Sequence, residues 1–239
     1  MIRSSLLSLL MLTGVSATAK DVTLTNYKLP SYYQGAATDV DHVCFMINYG
    51  GEYGMTNKTA NSESMNGKGL GWFVDMGAAI PVRIGNRTGD NTFLQVSLQY
   101  HELHIKERYK DIAGADKDQK YIYQYGSVPI SFNSLYNSNS NIGFYWRAGV
   151  NISYLYDAKK ANVDGSIKGD FSAINIAPFA GIGIAFDSDI RRGLWAGQKV
   201  KNFIGPFISY GVNNMSGISG TSMHPLVIGI QLTAVKLGA

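Results

Sequence analysis

The chain holds a single cysteine, Cys44, in 239 residues. This excludes an intramolecular disulfide framework, and Cys44 lies too far from the N-terminus to be a lipid-acylated residue. After the N-terminal region there is no unbroken run of about 20 apolar residues, the length an ordinary transmembrane helix needs. Insertion into a membrane would therefore have to use strands. Charged residues are sparse, at 16%, and the net charge is only +4. Basic residues are mixed with acids in polar segments (Lys110, Asp111, Asp116, Lys117, Asp118, Lys120). No basic stripe is interleaved with stacking aromatics, which argues against nucleic acid as a partner.

What the chain does have is glycine, 27 residues, and aromatic side chains, 12%, dispersed rather than run together. The N-terminus, MIRSSLLSLLMLTGVSATAKD, carries a positive charge at Arg3, an apolar run from Leu6 to about Val15, and small residues ending in Ala17-Thr18-Ala19. That is the layout of a cleaved secretory signal, so residues 1–19 are expected to be a signal peptide of an exported bacterial chain, cut after Ala19. Residues 20–41, with three tyrosines and Pro30, are expected to form an unstructured periplasmic N-terminal segment, the alternatives being a segment that docks on a partner or tucks into the barrel mouth.

From there on the dominant signal is period two. In Asn141 to Asp157, NIGFYWRAGVNISYLYD, one parity carries Ile142, Phe144, Trp146, Ala148, Val150, Ile152, Tyr154 and Tyr156. The other carries Gly143, Tyr145, Arg147, Gly149, Asn151 and Ser153. Such alternation predicts a β-strand. The same pattern recurs until eight strands are counted, the smallest common closed barrel. Two strands change hydrophobic parity partway, at Leu103 and Ile105 and again around Gly126 and Pro129, and a β-bulge is expected at each. Long polar loops are expected at Thr56 to Gly69, Glu107 to Lys120 and Ala158 to Gly169, and short turns at Asn86 to Asn91 and Asn137 to Asn141. Asp187 to Lys201 is a longer connection on the short-turn side. Alternating loop lengths mark an outer-membrane barrel with its short turns in the periplasm.

The less apolar parity is built from Gly, Ala, Ser, Asn and Gln. A soluble barrel would place Lys, Glu and Thr outside. Small residues instead suit a narrow interior, which leaves the apolar parity facing lipid. Aromatics stand at both ends of the fifth strand with aliphatics between them, and Tyr53, Trp72, Tyr100, Tyr121, Tyr123, Tyr154, Tyr156 and Tyr210 are expected at the outer rim as a membrane belt. Residues 42–239 are thus read as an all-β domain, an eight-stranded antiparallel up-and-down transmembrane β-barrel.

The segment GSVPISFNSLYNSNSNIGFYWRAGVNISYLYD, a short proline-containing strand, a tight turn and an aromatic strand with an inward Ala-Gly pair, resembles the PorT-type outer-membrane β-barrel domain family of Bacteroidetes. The resemblance covers about Asp41 to the C-terminus. It implies an eight-stranded meander of OmpX or OmpA size in the outer membrane and, for most members, no assigned chemistry. The C-terminal LTAVKLGA departs from the usual terminal aromatic of outer-membrane strands.

Candidate chemistry is thin. His101 and His104 flank Glu102, but positions three apart on a strand face opposite sides unless a bulge intervenes, which disfavours a shared metal. His42 and His224 have no recognisable serine or carboxylate partner. Gly67, Gly69 and Gly71 lead into a strand, not the helix a phosphate loop needs. Asn57-Lys58-Thr59 and Asn86-Arg87-Thr88 match a glycosylation pattern of little weight in a bacterial chain. No catalytic residue, metal ligand or cofactor is therefore expected. The distinctive inward residues are Glu52, Asp75 and Arg147, read as a structural lumen cluster in which Arg147 reaches at least one carboxylate, Arg83 being the one other inward cation in evidence. The expected role is non-enzymatic: structural, adhesive, or accessory to an envelope assembly, as a monomer with membrane lipid around it and an envelope protein reached through the loops. The alternative is an outer-membrane lipid-modifying enzyme using rim polar residues; a passive pore is disfavoured because eight strands leave no open channel.

The mature chain, starting near Lys20, is predicted to fractionate with outer membranes and to migrate anomalously on gels unless boiled. Recovery as a soluble periplasmic protein would contradict the reading. Cysteines introduced at Asn61, Lys117 or Asp164 should react with an impermeant thiol reagent on intact cells, whereas one at Asn139 should not.

Overall fold

The computed structural model describes residues 40, 43–60, 63–82, 90–110, 116–136, 142–161, 165–189 and 199–237. Eight strands run in chain order: β1 (Cys44–Ala60), β2 (Glu63–Pro81), β3 (Asp90–Lys110), β4 (Asp116–Tyr136), β5 (Ile142–Lys160), β6 (Ile174–Asp189), β7 (Lys199–Tyr210) and β8 (Thr221–Leu237). Each pairs antiparallel with the next, and β1 pairs with β8 to close the ring. Among the described residues the sole helical element is a 3-10 turn at Lys168–Asp170. The signal peptide, the leader apart from Val40, His42, Arg83, residues 86–89 and 137–141, Asn61 and Asp164 lie outside the described residues; Val40 is buried against the barrel's lower apolar cluster.

The predicted parities hold on all eight strands through the body of the wall. Val43, Phe45, Val74, Leu98, Ile152, Ile176, Ile182, Ile208 and Ile230 face out and are exposed, whereas Asn48, Asp75, Gln95, Arg147, Asn175 and Gln231 face in and are buried. The two expected bulges do not exist. β3 pairs with β4 without a register break, so Leu103 and Ile105 remain on the inward parity of Gln95 and Gln99. On β4, Tyr123 and Tyr125 are likewise inward, on the parity of Ser127, Ser131 and Asn133. The belt placement expected for Tyr121 and Tyr123 is thus corrected, Tyr121 packing against the same internal cluster. The change in hydrophobicity is a change in what fills the barrel, with the backbone unbroken.

The register shift lies elsewhere, where Gln124 pairs with Asp157 while Tyr125 pairs with Leu155. Tyr156 is the extra residue, and beyond it the inward position moves from Leu155 to Ala158, as a β-bulge dictates. Nor are Thr56 to Gly69 and Glu107 to Lys120 irregular loops. The strands continue through them to Ala60 and Glu63, and to Lys110 and Asp116. A bilayer needs about 9–11 tilted residues per strand, so the 21 residues of β3 and of β4 carry this hairpin well above it.

Gly67, Gly69 and Gly71 belong to this upper half of β2 and face inward. A Cβ at Gly67 would stand 2.6 Å from Ile105 Cγ2, and one at Gly71 would stand 2.6 Å from the Glu102 carbonyl oxygen and 2.7 Å from Glu52 Oε1. Glycine here makes room for side chains from β1 and β3 to meet across β2. Gly71→Ala is predicted to lower unfolding free energy by about 1–3 kcal/mol, as overpacking does, read from the denaturant midpoint of refolded protein in micelles.

The barrel interior as candidate functional site

Inward side chains fill the barrel in three layers. At the lower end, Met46, Phe93, Leu135, Tyr145, Phe203 and Val235 form an apolar plug with Cys44 inside it. The Tyr145 ring meets Phe203 edge-on at 5.2 Å, and its hydroxyl accepts a 3.2 Å hydrogen bond from Gln231 Nε2. At the upper end Leu103, Ile105, Tyr123, Tyr125, Leu155, Met215 and Met223 form a second plug.

Met215 reaches that plug because the β7–β8 connection, residues 211–220, folds back over the mouth. Its backbone is held by Met215 N to Met223 O, 2.9 Å, and by Ser172 N to Met215 O, 2.8 Å. The Asn214 carboxamide accepts from Ser216 N and Met223 N and donates to Thr221 O. Asn213 does the same for the wall. The β6–β7 ladder stops at Phe179 and Ser209, and the Asn213 side chain then accepts from Ile176 N and donates to Ile174 O. Gly220 turns the chain back at φ 75°, a conformation that favours glycine.

Between the plugs lies a polar layer around a cavity of about 60 Å³, room for a few waters. One hydrogen-bonded chain crosses five strands: Thr233 Oγ1 donates to Asn48 Oδ1 (3.1 Å), Asn48 Nδ2 to Asp75 Oδ2 (2.9 Å), Gln99 Nε2 to Asp75 Oδ2 (3.4 Å), and Asn151 Nδ2 to Gln99 Oε1 (3.0 Å). Asp75 is therefore held by neutral amides. Such bonds supply donors to a buried carboxylate without the desolvation of a second ion.

Glu52, Asp75 and Arg147 are all buried and all line this cavity. Among the described residues, Arg147 makes no ion pair with either carboxylate within 4.0 Å. Its guanidinium carbon lies 4.8 Å from the centre of Phe179 and 5.6 Å from that of Phe207, a cation–π seat. Glu52 contacts His101 Nε2 through Oε1 instead, and the His101 ring stacks on Tyr125 at 5.1 Å. His101 belongs to the lumen, and its pairing with Glu52 follows from the glycine gap at Gly71.

Lys201 is a further inward cation, 2% exposed, with Nζ 2.7 Å from Asp187 Oδ1. The expectation that Arg83 is the one inward cation besides Arg147 is corrected by it. The parity of Phe203 and Gly205 extends down to Lys201, which is the signal that would have found it.

His104 faces out, as strand alternation requires. Its Nε2 lies 2.6 Å from Glu102 Oε1, while Glu102 Oε2 accepts from Tyr100 OH (3.0 Å) and Gln124 Nε2 (2.9 Å). His224 stacks on Tyr210 at 6.0 Å, with Nδ1 3.1 Å from Gly211 O. Among the described residues no group of three or more His, Cys, Asp or Glu could hold a metal ion.

The exterior completes the physical picture. Leu98 and Leu70 are 70% and 71% exposed. Trp72, Tyr100, Tyr154 and Tyr156 stand toward one end of this band, with Trp72–Tyr100 and Tyr100–Tyr156 ring contacts at 5.1 and 6.2 Å. Phe132, Tyr136, Phe144 and Trp146 stand toward the other. So large an apolar surface is incompatible with water, and a closed ring with apolar outside and polar inside is the form in which strands cross a bacterial outer membrane. The chain is an outer-membrane β-barrel protein.

No family model matches the chain, and none of the curated proteins is similar to it. Likenesses exist among solved structures. Neisserial surface protein A is 12% identical over 79% of this chain and 96% of its own, with a TM-score of 0.39. OprG from Pseudomonas aeruginosa is 9% identical over 84% and 99%, TM-score 0.41, and the protease OmpT from Escherichia coli 7% identical over 83% and 97%, TM-score 0.44. Scores this low leave the barrel assignment resting on this chain's own closed ring of strands.

Replacing His101 by Leu is predicted to cost about 3 kcal/mol, because it leaves the Glu52 carboxylate buried without its partner. Replacing both residues by Leu should recover most of that loss. The check is a double-mutant cycle on unfolding free energies.

Proposed function

We propose that the chain is a non-enzymatic outer-membrane protein, structural, adhesive or accessory to an envelope assembly, whose barrel is a plugged scaffold for the β1–β2 and β3–β4 hairpins it raises above the bilayer. The observation that supports this best is the filled interior: among the described residues, apolar clusters stand above and below the polar layer and its small cavity. Functional contacts then fall to the outer hairpins, where a partner protein of the envelope would dock, the barrel itself acting as a monomer. Kinship with the PorT-type family is part of the proposal and rests on the segment Gly126 to Asp157.

Within this reading Glu52, Asp75 and Arg147 are structural, each held by contacts of its own: Glu52 with His101, Asp75 with the Asn48 and Gln99 amides, Arg147 with the Phe179 and Phe207 rings. Arg147→Met removes a buried charge that shares the cavity with Asp75. It also removes the cation–π contacts with Phe179 and Phe207 and is predicted to destabilise the barrel by about 2 kcal/mol, the order of a desolvated cation–π contact. Unfolding at the parental denaturant concentration would show Arg147 to be hydrated and idle.

One observation favours the second reading, a lipid-modifying enzyme. The Glu102–His104 pair faces the membrane interface, and a carboxylate-oriented imidazole is general-base machinery. Its described hydrogen-bond partners are Tyr100 and Gln124, which supply no serine, threonine or cysteine nucleophile. The two readings separate by mass spectrometry of envelope lipids from a deletion strain complemented with the parent or with His104→Gln. Identical lipid profiles support the scaffold; a modification restored by the parent alone would overturn it.

A further inference from the structure

The outward face of β2, β3 and β4 above the aromatic belt carries an arrangement the scaffold does not need. Lys68 on β2 is directly opposite Lys106 on β3, and Lys106 is directly opposite Lys120 on β4. All three side chains are exposed. Like charges facing one another across a ladder are destabilising, and here two such pairs are consecutive.

Among the described carboxylates on this face, one pairs with the middle lysine of the row and none with the outer two. Asp118 is shared by Lys106, at 2.7 Å, and Arg108, at 3.5 Å. The Lys106 hydrogen bond, with help from Arg108, holds the Asp118 carboxyl below the usual range. Asp157 is taken by Lys159 at 2.8 Å, and Glu102 by His104. Among the described residues, no carboxylate lies within 4.0 Å of Lys68 or Lys120.

Height matters as much as charge. Trp72 and Glu102 are paired, and the lysine row lies four residues further along both strands, about 10 Å higher for strands tilted as in a small barrel. Trp72 belongs to the aromatic belt at the edge of the hydrocarbon, so the ammonium groups stand in the headgroup layer of the outer leaflet. Between the two levels is Leu70, 71% exposed, and level with Trp72 lies the Glu102–Gln124 network, which offers polar atoms to a headgroup.

We propose that this face, Lys68, Lys106 and Lys120 above Trp72 and Leu70, is a docking site for a phosphate-bearing lipid of the outer leaflet. The phosphate bridges the lysines and relieves their mutual repulsion, while the acyl chains lie along the apolar wall below. The proposal rests on the outer-membrane reading, and its test separates the two.

Purified protein is reconstituted into phosphatidylcholine nanodiscs containing bisphosphorylated lipid A, the same lipid dephosphorylated, or neither, and bound lipid is counted by native mass spectrometry after release from the disc. The parent is expected to retain lipid A and not its dephosphorylated form. Lys68→Gln, Lys106→Gln and Lys120→Gln combined should weaken retention roughly 100-fold, whereas Lys236→Gln, on β8 near the opposite end, should leave it unchanged. Heat-modifiable migration shared by all variants establishes that each is a folded membrane barrel, so failure of the outer-membrane reading would appear there. Equal retention of both lipids, or undiminished retention by the triple variant, would overturn the docking site.

Discussion

Everything in this molecule follows from the obligation to pair every backbone N–H and C=O inside a medium that offers no partners of its own. An antiparallel sheet meets it only by closing, and eight strands close into a ring too narrow to stay empty. Narrowness then selects the inward residues: apolar plugs at two levels, amides and small hydroxyls between them, and glycine where side chains of β1 and β3 must meet across β2. The outward residues have the opposite freedom, and they are aliphatic in the middle of the wall and aromatic toward its edges.

The buried charges show how the same constraint handles polarity. The contacts of the ionisable groups in the middle layer are local: Asp75 with amides, Glu52 with an imidazole, Arg147 with two phenyl faces. Long-range pairing across the lumen is unnecessary, because the inward face of each strand lies within a side chain's length of its neighbours. This arrangement resembles a packed core turned polar.

Much of this was legible in the sequence because period two is a local signal. Outward parity was readable on every strand from Phe45 to Leu232, and with it the barrel, the lipid-facing side and the burial of Glu52, Asp75 and Arg147. Leu103, Ile105, Tyr121 and Tyr123 were misread, because an apolar residue on a polar parity has two physical causes, a bulge or an internal plug, that look alike along one strand. The real bulge at Tyr156 was silent, since Tyr154 and Tyr156 both face out and the parity change falls among Asp157, Ala158 and Lys159. Glu52–His101 and the lysine row required the register between strands, which hydrophobic alternation alone does not carry. The Asn213 and Asn214 side chains, which complete the wall and fold residues 211–220 over the mouth, left no pattern at all.

The central claim is that one parity of the wall meets lipid while the other meets a filled interior, and spin-label accessibility along β5 tests it most directly. With single labels at Phe144, Ala148 and Ile152 against Tyr145 and Ser153 in reconstituted bilayers, the first set should collide freely with dissolved oxygen and remain shielded from a water-soluble paramagnetic reagent. The second set should be shielded from both. Accessibility of the even positions to the water-soluble reagent, or free collision of either quencher with Tyr145 and Ser153 labels, would contradict the account.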